Sequence, residues 1–510
     1  MGHRLNHATN ELRVDAPVII VGGGPVGLAL ALGLARYGAR SIVLERNPEP
    51  VRESRAAVIW PRTQEILRDW GAYAPLREAG RFARVLRGVN ARTQATFVTI
   101  DFSSIDDVFD DPGALMLPQN HTERILRDLV SSNSRCELRT GCNVTGLSQS
   151  PDGVEIFFDS AGEPGSLQAA FVVGCDGAHG VVRAAIGLTL QGVTYDTRVV
   201  LSDETVNADI PAEVTARVRF DLPGLRGAIR FDDRSWRVMA SVPKELSDED
   251  ALSPLAHRER VRDLFGDAPF ETQWSSLFKI HRRHAQRFVV GRVMLAGDAA
   301  HLNSPAGGQG MNAGIQDAGN LAWKLAFAVR AQRCAGPLLA SYDPERREII
   351  TDTVERVTDR ITRFGITFPL RARQFAMRTF ARAIRGRGMQ RKLCRGIGML
   401  NGRYTTSPII DNRHPLAGRR IDDLRLADGT RINLRRAGEA ILIVVGDLAL
   451  DLPHVRVEMP PKRWHVKPPV VLIVRPDGCV ASVVEKPTLA RVEAAWHRAF
   501  CDALPLPVLA

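Results

Sequence analysis

The chain has no C-x-x-C pair, no H-E-x-x-H, no Walker sequence and no G-x-S-x-G. These absences remove dithiol redox chemistry, the usual zinc clusters, P-loop phosphate chemistry and the α/β-hydrolase nucleophile; no metal-ligand spacing is present. The seven cysteines, an odd number, are scattered from Cys136 to Cys501, which argues against a disulfide framework and for a reducing, cytoplasmic setting. Aromatic residues make up only 6%, while 45% hydrophobic and 25% charged residues are ordinary for a globular protein. A length of 510 residues corresponds to roughly three domains.

The net charge of +11 is local. Twelve Arg and Lys residues lie between Arg360 and Arg403, no acidic residue follows Arg360 until Asp411, and the rest of the chain is close to neutral. A nucleic-acid-binding domain would be basic over a whole face, so nucleic acid is not an expected partner. The arginines stand among Phe364, Phe368, Phe375 and Phe380. Packed helices with solvated arginine faces are the favoured reading of that segment, and contact with an anionic membrane is the less favoured one. The longest uncharged stretch, Ala16 to Ala35, holds five glycines and two prolines, so a spanning or export segment is not expected from it.

That stretch has another use. Pro17–Val21 is a short apolar strand, Leu28–Tyr37 is a helical pattern, and Ser41–Leu44 is a second strand. Between the first two lie Gly22, Gly24 and Gly27 in G-x-G-x-x-G, and Glu45 follows 21 residues past Gly24. Gly22 allows the tight turn, Gly24 lets backbone amides approach a pyrophosphate, and Gly27 lets helix pack on strand. The helix N-terminus favours phosphate, and Glu45 can accept from ribose hydroxyls. The order strand, turn, helix, strand, acid predicts a dinucleotide site, without choosing between FAD and NAD.

A second stretch, Gly291-Arg-Val-Met-Leu-Ala-Gly-Asp-Ala-Ala-His301, leads into Pro305-Ala-Gly-Gly-Gln-Gly-Met-Asn312 and Asn320-Leu-Ala-Trp-Lys-Leu325. Over residues 16 to 350 the sequence resembles the FAD-dependent aromatic hydroxylases. These single-component flavoprotein monooxygenases include phenol hydroxylase and p-hydroxybenzoate hydroxylase. The resemblance implies that Asp298 binds the ribityl chain of FAD and that amides from Gly308 through Gly310 and Met311 to Asn312 face the flavin. Val173–Arg183 resembles the Asp-Gly motif of that family, which carries Asp176 and Arg183 and is associated with FAD and NAD(P)H; Gly180 stands where serine is usual. Arg55 resembles the arginine near the FAD phosphates, and Gln119 a glutamine that contacts FAD. Residues 405–510 resemble the thioredoxin-like domain of phenol hydroxylase and several polyketide hydroxylases, on Arg475-Pro-Asp-Gly478 and the order of strands. Without C-x-x-C that domain is expected to serve structure or dimerisation, and a homodimer is one expected assembly.

The expected fold class is α/β with an α+β insertion. Residues 14–186 and 288–360 would form a Rossmann-type FAD-binding domain and 187–287 a β-sheet substrate domain. Residues 361–404 would form a basic helical connector and 405–510 the thioredoxin-like domain. The resemblance implies that NAD(P)H reduces FAD, that O2 adds at flavin C4a, and that the hydroperoxide passes one oxygen to a phenolic or polycyclic aromatic substrate. Baeyer–Villiger insertion, epoxidation and non-catalytic flavin-dependent ligand binding are the alternatives. The flavin carries the reaction, so no catalytic side chain is named; Tyr195 and His281 are the nearby candidates for a substrate-activating base.

Overall fold

The computed structural model describes residues 16–50, 56–222, 224–304, 307–331, 336–355, 376, 379–425, 431–434 and 438–507. Its centre is a sheet in the order Val289–Val290, Val293–Leu295, Glu163–Gly174, Ala16–Val21, Ser41–Glu45, Cys136–Thr140. All neighbours are parallel except the first pair. Two further strands, Cys142–Gln149 and Val154–Ser160, extend it antiparallel from Glu163–Gly174. Strands buried on both faces need continuous apolar runs, and Val18, Ile19 and Ile20 are fully buried, as are Val172, Val173, Val293 and Leu295.

Topology sets where a ligand can sit. The chain leaves Ala16–Val21 through the helix Pro25–Arg36 to Ser41–Glu45 on one side, while Glu163–Gly174 pairs on the other. Strand order reverses there, which opens a crevice at the carboxyl ends. Val21 stands opposite Gly174 and Gly174 opposite Leu295, so three loops leave the same edge together. The ladder continues into them, with Cys175 N donating to Val21 O at 2.7 Å and Ala296 N to Gly174 O at 3.0 Å.

A second eight-stranded sheet runs from His301–Leu302 through Phe270–Ala285, Leu190–Val206, Ser235–Val242, Arg226–Arg230 and Ala216–Val218 to Val85–Asn90 and Thr96–Asp101. It is wider than the 187–287 stretch read from sequence, because strands from residues 85–101 complete its edge. The helix Pro254–Phe265 covers one face, burying Val261 and Leu264 against Trp236 and Val238.

The C-terminal strands order as Val455–Val457, Ile441–Val445, Val470–Val474, Val480–Glu485, the first pair parallel and the others antiparallel, followed by the helix Leu489–Phe500. This is the thioredoxin-like arrangement. One side of it shares the main core: Trp496 and Phe500 are buried with Trp323 and Phe327 of the long helix Gly310–Arg330. Of the basic segment, Arg387–Ile397 is a helix, and residues 356–375 lie outside the described residues. Among the described residues no helix is long and apolar enough to cross a membrane.

Candidate active site

The glycine turn has the shape a pyrophosphate needs. Gly22 has φ +108°, and a Cβ there would lie 2.4 Å from Cys175 O. A Cβ on Gly27 would lie 2.0 Å from Gly22 O, so only glycine lets the helix pack this closely on the turn. Gly24 differs: a Cβ on it would meet nothing within 4 Å, so its open side faces free space. The helix that begins at Pro25 has no side-chain cap, which leaves its first amides available to an anion. Glu45 closes the turn from the next strand, accepting Gly23 N at 2.7 Å and Asn47 N at 2.8 Å.

The other two loops come to the same place. Val26 touches Gly297 and Gly314: added Cβ atoms would lie 3.0 Å and 2.5 Å from its Cγ2. The uncapped start of the helix Gly310–Arg330 is thereby brought against the first helix and the Gly297–Ala299 turn. Asp298 is exposed at that turn. Gly308, with φ +62°, precedes Gly310, and Met311 is half-buried. Asn312 is fully buried and points away from the opening, accepting Trp60 N at 2.8 Å and donating to Val58 O and Gly308 O at 2.8 Å. Its side chain therefore fixes the loop, leaving the backbone amides to face a ligand.

Gln119 starts the helix Gln119–Ser131 and exchanges bonds with Ala56, whose amide reaches Oε1 at 3.0 Å. Arg55, beside it, lies outside the described residues. Ala56 O also accepts from Arg237, which a bidentate pair with Asp203 at 2.8 Å holds on the second sheet. Beside Gln119 a cleft of about 580 Å³ opens between the two units, lined by Pro118, Asn120, His121, Asp203, Phe231 and Ser235. That volume suits a ring system.

Asp176 accepts Val182 N at 2.9 Å, and burial raises its pKa above the usual carboxylate range. It supplies the cap that Gly180 lacks, and a Cβ on Gly180 would lie 2.1 Å from Asp176 Oδ1. A side chain at residue 180 would meet the Asp176 carboxylate in this arrangement. Arg183 is buried: it donates to Ala299 O at 2.8 Å and to Ala178 O at 2.5 Å, tying this loop to the Asp298 turn. His281 bonds Thr194 Oγ1 at 3.0 Å, and burial, Arg283, Lys279 and His179 lower its pKa. Tyr195 follows Thr194 on the adjoining strand, half-buried.

Sequence reading missed a buried network behind the site. Asp317 is fully buried, accepts Gly297 N at 3.0 Å and His301 Nε2 at 2.7 Å, and pairs with Arg346 Nε at 2.7 Å. Burial would raise its pKa, but the charges of His301 and Arg346 prevail and hold it below the usual range. A signal existed. Asp317 and Lys324 stand seven residues apart on one face of a long helix rich in Ala, Leu and Gly, and buried charges require partners.

Residues 15–357 match the family described as FAD binding domain. The chain belongs to the FAD-dependent aromatic hydroxylases. It is 32% identical over 461 residues to 12-dehydrotetracycline 5-monooxygenase/anhydrotetracycline 6-monooxygenase of Streptomyces rimosus, spanning 84% of this chain and 85% of that protein. It is also 32% identical over 473 residues to rifampicin monooxygenase of Streptomyces venezuelae, spanning 91% and 94%. The solved structure of anhydrotetracycline hydroxylase from Streptomyces rimosus superimposes with a TM-score of 0.76 at 30% identity, covering 95% of this chain and 99% of that one. This protein is therefore an FAD-dependent monooxygenase. The glycine cradle, with one Cβ-excluding wall and one open side, fits the FAD pyrophosphate.

Proposed function

We propose that the protein hydroxylates a phenolic or polycyclic aromatic substrate. Relatives named for oxidising the polycyclic tetracycline skeleton support that substrate class. When bound, FAD supplies oxygen activation with electrons from NAD(P)H. The observation that carries this reading is the meeting of the Pro25–Arg36 and Gly310–Arg330 helix starts at Val26 and Gly297. One positive helix end suits a pyrophosphate, and the other suits negative charge on a reduced flavin ring.

The chain's residues take these parts. Gly22, Gly24 and Gly27 admit the pyrophosphate, Glu45 holds ribose, and Arg55 and Gln119 contact the cofactor from the 55–119 side. Asp298 holds the ribityl chain, and the amides from Gly308 to Asn312 face the flavin ring. Asp176 and Arg183 shape the loop between them. Residues 14–186 and 288–360 would act as the cofactor unit, with 187–287 covering the substrate. The cleft beside Gln119 supports substrate binding between those units. NAD(P)H docks transiently at the Asp176–Arg183 loop, near the positive charges of Lys279 and Arg283, which favour phosphates. The described cysteines are all free, which supports a cytoplasmic setting.

The test is NAD(P)H consumption by the FAD-loaded enzyme across a panel of phenols and polycyclic aromatics, with product analysis. Ligand-dependent oxidation yielding a product one oxygen heavier on an aromatic carbon is expected. Stoichiometric ligand binding without turnover would favour a sequestering protein, and a ring-expanded lactone would favour Baeyer–Villiger insertion.

A further inference from the structure

The Arg475-Pro-Asp-Gly478 turn belongs to the C-terminal unit, yet Arg475 is fully buried in the cofactor unit. Its guanidinium donates to Glu345 Oε1 at 2.7 Å and Oε2 at 2.9 Å, and Asp477 holds it from behind through Nε at 3.1 Å. Glu345 is fully buried too, and three more donors reach it: Asn320 at 2.6 Å, Lys324 at 2.8 Å and Ser407 at 2.6 Å. Two of the five donors to this carboxylate therefore come from the Arg475 turn. Lys324, Glu345, Arg475 and Asp477 together are electrically balanced, and without Arg475 they are not.

Glu345 lies on the helix Tyr342–Ile349, which touches the cofactor site at two other points. Tyr342 Oη donates to Leu295 O at 2.8 Å, at the end of the strand that runs into Gly297. Arg346, the next residue after Glu345, holds Asp317, and Asp317 holds the Gly297 amide. Tyr404 stands beside both Arg346 and Arg475, its ring 5.4 Å from the Arg475 guanidinium. One short helix is thus gripped by the C-terminal turn and itself grips the turn that presents Asp298.

The geometry points to Arg475 as a positioning residue of the flavin site. It fixes the Tyr342–Ile349 helix through Glu345, and that helix fixes Gly297 and Asp298 through Arg346–Asp317. The C-terminal unit, lacking dithiol chemistry, then has a defined part in this monooxygenase: it sets the geometry of the ribityl-binding turn. The inference rests on the assignment of Asp298 to FAD, and amide exchange in the apoprotein separates the two, because it requires no flavin.

The experiment compares Arg475→Gln with Arg475→Lys and with Arg420→Met, all in the full chain. Arg420 also joins the C-terminal unit to the cofactor unit, through Glu65 at 2.8 Å, so its loss reports weakened docking alone. Hydrogen exchange over residues 293–300 is measured in the apoprotein, and FAD affinity and the visible flavin spectrum after reconstitution. Arg475→Gln is expected to speed exchange at Gly297, to weaken FAD binding about threefold to thirtyfold and to alter the flavin band, with partial rescue by lysine. Arg420→Met is expected to lower the melting temperature while leaving Gly297 exchange in place. Should Arg475→Gln fail to fold, the double substitution Glu345→Gln/Arg475→Met removes both charges and carries the same expectation. Faster Gly297 exchange with unchanged FAD affinity would uphold the positioning of the turn and refute the assignment of Asp298. Equal effects of Arg475 and Arg420 variants on Gly297 exchange, or none from either, would overturn the inference.

Discussion

Asp317 Oδ2 accepts the amide of Gly297 at 3.0 Å, although twenty residues separate them. This bond sets the turn that carries Asp298, and it joins the long helix to the carboxyl edge of the sheet. On the proposed assignment, replacing Asp298 by Ala removes a carboxylate partner from the ribityl chain, a loss of about 1.5–3 kcal/mol. FAD titration followed by fluorescence should show at least tenfold weaker binding. Equal flavin occupancy in variant and parent across a dilution series would count against the assignment.

Gly24 and Gly27 should separate cofactor binding from folding. A methyl at Gly24 meets no protein atom within 4 Å, so Gly24→Ala should fold as the parent does and lose FAD affinity. A methyl at Gly27 would collide with Gly22 O, and Gly27→Ala should lose about 1–3 kcal/mol of stability before any flavin is added. Thermal melts of the two apoproteins, followed by FAD titration, check both statements. A destabilised Gly24→Ala apoprotein would show that its open side serves packing instead.

Those glycines also show what was legible in the sequence. The strand–turn–helix and Glu45 were readable because each glycine answers a local backbone demand. The Arg346–Asp317–Gly297 relay and the Glu345–Arg475 pair were not, because partners 29 and 130 residues apart leave no local spacing. The second sheet extended past its expected boundary for the same reason. Its edge strand Val85–Asn90 pairs with Ala216–Val218, a contact invisible until the chain is folded.

Removing residues 405–510 should do more than expose apolar surface. It would strip Glu345 and Glu65 of buried arginine partners, and breaking each such pair costs about 3–5 kcal/mol. The truncated chain is expected to lose its cooperative melt and its FAD together. A monodisperse truncation with parental flavin content would refute this.

Acid should act on the same carboxylates. Burial opposes the ionised forms of Asp317 and Glu345, but their cationic partners win and hold both below the usual range. In the unfolded chain they take up protons near pH 4, so their contribution is complete above that pH and is lost as pH falls toward the depressed native values. Urea midpoints between pH 7 and pH 3 should fall more steeply for the parent than for Glu345→Gln. Parallel profiles would show that Glu345 contributes nothing to acid sensitivity.

On the proposed reading, in which NAD(P)H docks transiently, substrate should gate the reduction. A tenfold shift toward a reducible state requires about 1.4 kcal/mol of differential substrate binding. Anaerobic stopped-flow absorbance after mixing with NADPH or NADH should show faster loss of the oxidised band when a competent aromatic is bound. A rate unchanged by every competent substrate would remove gating and leave hydroxylation standing.

Isotope labelling tests hydroxylation itself. The enzyme, FAD, NAD(P)H and a substrate that stimulates oxidation are incubated under ¹⁸O-labelled dioxygen in ordinary water, and the product is analysed by mass spectrometry. One labelled oxygen on an aromatic carbon, the second leaving as water, is the predicted result. A product carrying oxygen only from water, or NAD(P)H oxidation that ends in hydrogen peroxide while the aromatic is recovered unchanged, would contradict the account.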